Sequence, residues 1–369
     1  MASLRQDPVP GALACNRRGF LRLAAGAAIT LFLPGCRRGL PQLPGLEPVP
    51  EGWRDTQQYQ KAPPWRLGRS SRGDISSWMV LFSAHIEYGA REKYRQQFGD
   101  YSAIAANWDP NKQIEDIRLL LRQGIDLLLI DPLDTRVVAQ GVQEAMDAGI
   151  PVILASTRVR GAPSVSWVAT QAHARGQACA DWLCQSVPAG RLAVLLSPFS
   201  GEDSEWWLSG VQARLSGRTG LEAVITRCPW SSEGAQQAMA SLLRGSAPID
   251  GVIVQNGVLG RGVVDAYVEQ GRDIPLLAGG DDWNGWLRTA KERQVRFFGL
   301  SSGANLGLRC VELATQVLSG QNVPAFVEFP YLTFDHTALE RYYRPDLSDH
   351  YWAIHDLPEA WIERMYKRS

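Results

Sequence analysis

Residues 107–157 read NWDPNKQIEDIRLLLRQGIDLLLIDPLDTRVVAQGVQEAMDAGIPVILAST and contain one unit twice, a helix followed by a short apolar strand. Ile114, Ile117, Leu120 and Leu121 recur at the spacing that lines one helix face, and Gly124 stops the helix. Asp126 to Ile130 is then a short, continuous apolar run, the pattern of a parallel strand covered on both faces, and it ends at Asp131-Pro132. Val137, Val138, Val142 and Ala145 mark a second helical face, Gly149 ends it, and Ile150 to Leu154 predicts the next strand, opening into Ala155-Ser156-Thr157. Alternating helix and strand implies an α/β fold with a doubly wound parallel sheet. Such sheets bind ligands in the crevice outside the carboxyl ends of their strands.

The same alternation continues outward from this stretch. Trp65 to Arg69 predicts a first strand, and residues 191–196, 221–227, 249–254, 274–278 and 295–300 predict five more, with helices at 204–215, 233–244, 260–270, 283–293 and 305–318 between and after them. Two Rossmann-like lobes with parallel sheets follow, an N-terminal lobe at 65–187 with the 301–325 crossover region, and a C-terminal lobe at 188–300. Residues 326–369 form a crossover strand and a C-terminal tail.

Several linked motifs in order, DPNKQIEDI, GIDLLLIDPLD and AGIPVILAST, resemble the periplasmic sugar-binding proteins of the ribose/galactose-binding type, the solute receptors of ABC importers. That fold is shared with lactose-repressor-family regulators. The resemblance runs from about Trp65 to about Leu332. It implies a three-segment hinge, expected near Ser186 to Gly190, Leu300 to Gly303 and Phe326 to Tyr331, with a small sugar or polyol held between the lobes. It also implies an ABC permease as partner, a monomer, and no cofactor or catalytic residue. A second reading comes from exported relatives such as the TorT-type partners of sensor kinases, which use the same two lobes to report a ligand to a membrane histidine kinase.

Sugars present hydroxyls in fixed directions and weakly apolar ring faces, so a receptor needs Asp, Asn and Arg groups for the first and aromatic plates for the second. Gly279-Gly280-Asp281-Asp282-Trp283 ends a strand at a carboxylate, and the resemblance places Asp281 at the family's hydroxyl-acceptor position and Asn256 at another ligand position. Asn256-Gly257 also reads as a turn pair. Ser301 follows the last strand of the second lobe, as a ligand or hinge residue. In the first lobe Ser71, Asp74 and Trp78 follow the first strand, and Asp131 ends another as a ligand contact or a helix cap. Thr157 and Arg158 follow the strand that ends in Ala155. Relatives usually place an Asp followed by Arg at this last strand end; here the acid is missing and Arg158 comes one or two positions late. Trp108, Trp206, Trp207, Trp230 and Trp283 fall in or beside loops on the cleft side, Trp108 and Trp206 being the candidate plates, and Glu202 precedes Trp206 on a loop with Asp203 and Ser204 as helix caps.

The N-terminus reads as an export leader. Asn16-Arg17-Arg18-Gly19-Phe20-Leu21-Arg22 before an apolar stretch resembles a twin-arginine signal, and Leu33-Pro34-Gly35-Cys36 is similar to a lipoprotein cleavage box. Residues 1–36 are then a signal peptide with Cys36 as lipid attachment, 37–64 a proline-rich linker, and the protein a periplasmic lipoprotein attached to the membrane; cleavage elsewhere would give a soluble protein. With 38 basic and 38 acidic residues, formal net charge is zero, which argues against a nucleic-acid surface. Cys179 and Cys184 lie five apart on a helical segment, about 140° around it, which disfavours a mutual bridge. With no CxxC and five scattered histidines, no metal site is expected. Buried thiols are expected, with a long-range Cys228 or Cys310 disulfide as the alternative. The chain has no HExxH or P-loop, and Gly257 to Gly262 is glycine-rich but lacks the phosphate-loop lysine, so binding without chemistry is the expected function.

Overall fold

The computed structural model describes residues 50–198, 201–245 and 247–367. The leader, Cys36 and the start of the linker lie outside the described residues.

The described chain begins with β1 (Trp53–Arg54), β2 (Trp65–Ser71), α1 (Ser77–Tyr88), a π-helical turn (Gly89–Lys93), β3 (Phe98–Ala105), α2 (Pro110–Arg122), β4 (Leu127–Ile130), α3 (Ala139–Asp147), β5 (Val152–Ala155) and β6 (Ser166–Ala169). It continues through α4 (Ala172–Ser186), β7 (Gly190–Leu196), α5 (Glu202–Leu215), β8 (Leu221–Arg227), α6 (Ser232–Leu243), β9 (Gly251–Val254), α7 (Gly257–Glu269), β10 (Leu276–Asp281), α8 (Asn284–Glu292) and β11 (Phe297–Leu300). The last elements are α9 (Leu306–Leu318), β12 (Val323–Pro324), β13 (Phe326–Glu328), β14 (Thr333–Asp335), α10 (Leu339–Tyr342) and α11 (Glu359–Tyr366).

Two six-stranded sheets define two lobes. The first has the order β13-β6-β5-β4-β2-β3 and is wholly parallel; the second, β14-β11-β10-β9-β7-β8, is parallel except for its edge strand β14. The continuous apolar strands are the buried ones, as the both-faces-covered geometry requires: Leu127 to Ile130 in β4 and Val252 to Val254 in β9 are almost inaccessible to water. β2 has β3 on one side and β4 on the other, and β7 stands likewise between β8 and β9, so each lobe changes winding direction beside its first strand. The loops that leave these strands flank the crevice.

The lobes are joined by three crossings, and the first is not where the sequence suggests. The chain leaves the first sheet after Ala169, and α4 packs against α5, β9, β10 and β11, so 172–186 belongs to the second lobe. The expected crossing at Ser186 to Gly190 is therefore moved to Thr170-Gln171. A helix's own periodicity defines which of its faces is buried but not which sheet buries it. The other two crossings, 301–305 and 329–332, lie side by side: Ser301 N–H donates to Leu332 O at 2.8 Å and Leu332 N–H to Ser301 Oγ at 2.9 Å. The last stretch of the expected linker is also folded onto the body. β1 pairs antiparallel with β12, Thr56 is buried and donates to Gln321 O, and Lys61 Nζ reaches Asp126 at 2.8 Å.

Candidate ligand-binding cleft

The first lobe brings three strand ends together. Arg72, just past β2, donates from Nε to Asp131 Oδ1 at 3.0 Å and from Nη2 to Thr157 Oγ1 at 2.9 Å, linking the ends of β2, β4 and β5. Asp131 is buried, and such a charge is tolerable there because the guanidinium pairs with it. The helix-capping alternative goes instead to Asp134, whose Oδ1 accepts from Arg136 N and Val137 N. Beneath the cluster, buried Gln113 holds the β4 end by donating to Asp131 O and accepting from Leu133 N. Next to it, Asn107 and Trp108 both have left-handed φ values, 52° and 66°, and the Trp108 ring lies against Gly73. Two consecutive non-glycine residues in that region hold the loop after β3 in a strained form that presents the indole beside Arg72.

The second lobe answers with its own strand ends. Asn256 caps α7, its Oδ1 accepting from Leu259 N at 3.0 Å, while its buried Nδ2 has no protein partner. Asp281 sits at the end of β10 behind a register irregularity at Ala278/Gly280, where Gly279 has φ 104° and a Cβ would strike Val254 O, so only glycine fits. Asp281 accepts from Gly257 N at 3.0 Å and Trp283 N at 3.3 Å. Burial first, and the neighbouring Asp282 second, push its carboxyl up to about 7. On the first turn of α5, desolvation raises the Asp203 carboxyl, and the fields of Arg175 and Arg72 oppose that rise.

Charged groups span the two lobes. Arg160 Nη2 lies 2.6 Å and Arg158 Nη2 3.4 Å from the Glu202 carboxylate on the first turn of α5. Arg158 also lies over the Trp167 ring at 6.0 Å. Arg175, on the first turn of α4, donates to Ser301 O at 2.8 Å and faces Tyr331 at the third crossing.

Of the residues singled out in the sequence, Asp131 and Thr157 are brought together by Arg72, Arg158 meets Glu202 between the lobes, Trp108 lies against Gly73, and Asn256 and Asp281 flank Gly257 at the ends of β9 and β10. Trp206 stands edge-on to His173. Ser71 is buried at the end of β2, its carbonyl accepting from Ala106 N. Three candidates are placed elsewhere. Ser301 ties the two neighbouring crossings through its backbone and its hydroxyl. Trp78 stacks on Phe82 and donates from Nε1 to Ser302 O, packing under the hinge. Asp74 accepts from Ser83 Oγ at 2.7 Å on a groove that it shares with Glu87, Trp361 and Arg364, outside the cleft. Trp207 and Trp283 are core residues. Arg72, Arg160 and Arg175 were missed, since their partners lie far off in sequence; the one available signal was that each arginine stands within a few residues of a strand end.

Cys179, Cys184, Cys228 and Cys310 are buried free thiols, so the alternative of a disulfide at Cys228 or Cys310 is not realised. Among the described residues no cluster of His, Cys, Asp or Glu is arranged to hold a metal ion, and no helix is long and apolar enough to cross a membrane.

Comparison with known proteins places this geometry. A family model described as the periplasmic binding protein domain matches residues 75–322. The ribose import binding protein RbsB of Bacillus subtilis is 23% identical over 262 residues, covering 69% of this chain and 84% of that protein. A xylitol-binding protein of Mycolicibacterium smegmatis is 23% identical over 250 residues, covering 63% and 68%. Among solved structures, an ABC transporter solute-binding protein from Bacillus halodurans with bound myo-inositol superposes with a TM-score of 0.68 at 20% identity, over 76% of this chain and 98% of that one. The two-lobed fold is thus shared with that structure, and the chain belongs to the periplasmic binding protein family.

Proposed function

We propose that this chain is the ligand-capturing component of an ABC importer and holds a small sugar or polyol between its lobes. The observation that supports the reading is that strands in both lobes end on polar groups: Arg72, Asp131 and Thr157 in the first lobe, Asn256 and Asp281 in the second. A polyol is a chain of groups that both donate and accept. Asp131 offers it acceptor oxygens, Asn256 Nδ2 offers a buried donor, and Trp108 offers a flat apolar face. The relatives named for ribose and xylitol, and the structural neighbour holding myo-inositol, support the same class. The family supports a periplasmic location and a permease partner. We further propose that the protein works as a monomer, leaves the cytoplasm by the twin-arginine route and is anchored through lipid on Cys36.

A thermal-shift screen of pentoses, hexoses and polyols on the purified mature protein tests the capture. Stabilisation by at least one polyol or sugar is expected; stabilisation only by amino acids or peptides refutes it. For the anchor, Cys36→Ala should move the exported protein from the membrane to the soluble periplasmic fraction. An unmodified N-terminus downstream of Cys36 in the wild type would refute lipidation.

A further inference from the structure

The segment after α10 is fastened to both lobes at once. On the second lobe, buried Asn284 donates from Nδ2 to Arg344 O at 2.8 Å and Ser348 O at 3.1 Å, and accepts from Arg344 N at 3.1 Å. Arg288 reaches Asp349 at 2.7 Å and the Tyr343 hydroxyl at 2.6 Å. On the first lobe, Trp361 Nε1 donates to Glu92 at 3.0 Å beside the Tyr88 ring, Asn305 donates to Asp356 at 2.8 Å, and Asp356 N donates to buried His85 Nε2 at 3.1 Å. The stretch between these anchors touches both. Ile354 N donates to Asp282 of the second lobe at 2.9 Å, while Trp352 Nε1 donates to Ser77 at the start of α1 at 3.1 Å. The same Asp282 carboxylate accepts from Ser302 N in the second crossing. The ends of the segment close on each other, Leu347 bridging Lys367 and Ser348 N donating to Tyr366 O, with Leu357, Trp361 and Ile362 buried beneath.

A rotation of one lobe against the other about the three crossings works against these two sets of bonds. We propose that residues 343–366 form an interlobe strap that limits opening of the lobes in the ligand-free receptor. The ligand then meets a largely preset cleft. Its apparent affinity carries only a small correction for the fraction of molecules that are competent to bind.

The ligand arm of the test rests on the sugar reading; the scattering arm does not. Ser77→Ala/Glu92→Ala/Asp356→Ala removes three side-chain ties to the first lobe at the surface and leaves every cleft residue in place. Trp361→Ala is a second variant that releases the buried end. Small-angle X-ray scattering of the ligand-free proteins should show a larger radius of gyration in both variants than in the wild type, with far-ultraviolet circular dichroism unchanged. If the closed fraction falls from near one to near a tenth, affinity for ribose measured by calorimetry falls about tenfold, and ribose returns the radius to the wild-type value. An unchanged ligand-free radius in both folded variants overturns the strap. Should ribose fail to bind the wild type, the sugar reading is in question, and the scattering still decides the strap.

Discussion

On the proposed reading, Asp281 sets the pH dependence of capture. Its carboxyl is raised to about 7 because it is desolvated and stands beside Asp282, so in the empty cleft the protonated acid dominates below that pH. Ligand hydroxyls that donate to it favour the ionised form. Binding therefore releases a proton, and the association constant should rise between pH 6 and pH 8 and level off above. Asp281→Asn should lose about tenfold or more in affinity at pH 8, the equivalent of about one hydrogen bond to a charged acceptor, and its affinity should be flat across that range. Calorimetry at three pH values in two buffers of different ionisation enthalpy measures both quantities. A wild-type affinity that falls with rising pH would show that Asp281 acts as a donor. The strand-end placement of Asp281 and Asn256 was legible in the sequence because an apolar run stops there at an acid or an amide. Arg72 was not, because Asp131 is 59 positions away and only the winding of the sheet makes them neighbours.

At the scale of elements, the buried strands and the helices between them follow directly from apolar periodicity, whereas three kinds of element escape it. β3 is an edge strand that is mostly exposed or half-exposed, so its sequence FGDYSAIA lacks a continuous apolar run. β6, β13 and β14 are only four, three and three residues long. The strap is built from bonds to carbonyls and buried tryptophans more than from regular structure. Close packing also hides in single glycines. Gly210 of α5 lies so near α4 that a Cβ would overlap His173 O, and Gly176 meets Trp207 O in the same way, so the two helices touch backbone to backbone. Gly210→Ala should separate them and lower stability by roughly 2 kcal/mol despite alanine's better helix propensity, read as a lower denaturation midpoint in urea; an unchanged or raised midpoint would refute the contact. α1 adds a pH-dependent tie. His85 Nδ1 faces Leu81 O and Nε2 faces Asp356 N–H, a pair of partners that fixes the neutral ring protonated on Nδ1. Burial lowers its pKa from 6.5 to about 4; nearby Asp356 opposes the shift and His355 adds to it. The folded state resists a proton that the unfolded chain accepts, so the stability present above pH 6.5 is lost as pH falls toward 4. That loss is about 2 kcal/mol between pH 7 and pH 5, and His85→Gln should remove this part of the pH dependence in denaturant titrations.

At the scale of the whole molecule, Arg158, Arg160 and Glu202 join facing loops of the two lobes. These three groups are mostly shielded, with side-chain exposures of 9%, 12% and 23%, so their attraction is less screened than that of a surface pair. After loss of Glu202, Arg158 still has the Trp167 ring on its own lobe, so removing the carboxylate breaks the bridge without remodelling the wall behind it. Glu202→Gln should therefore act on opening more than on encounter. Release of bound ligand should accelerate roughly five- to thirtyfold, corresponding to about 1–2 kcal/mol, with the association rate little changed. Stopped-flow tryptophan fluorescence on ligand dilution measures the release, and Arg160→Gln supplies the second corner of a cycle. If the bridge closes the cleft, the double variant releases ligand no faster than the slower-closing single variant by more than a small factor. Fully additive effects, or an unchanged release rate in Glu202→Gln, would show that the carboxylate and the arginines do not act as one latch.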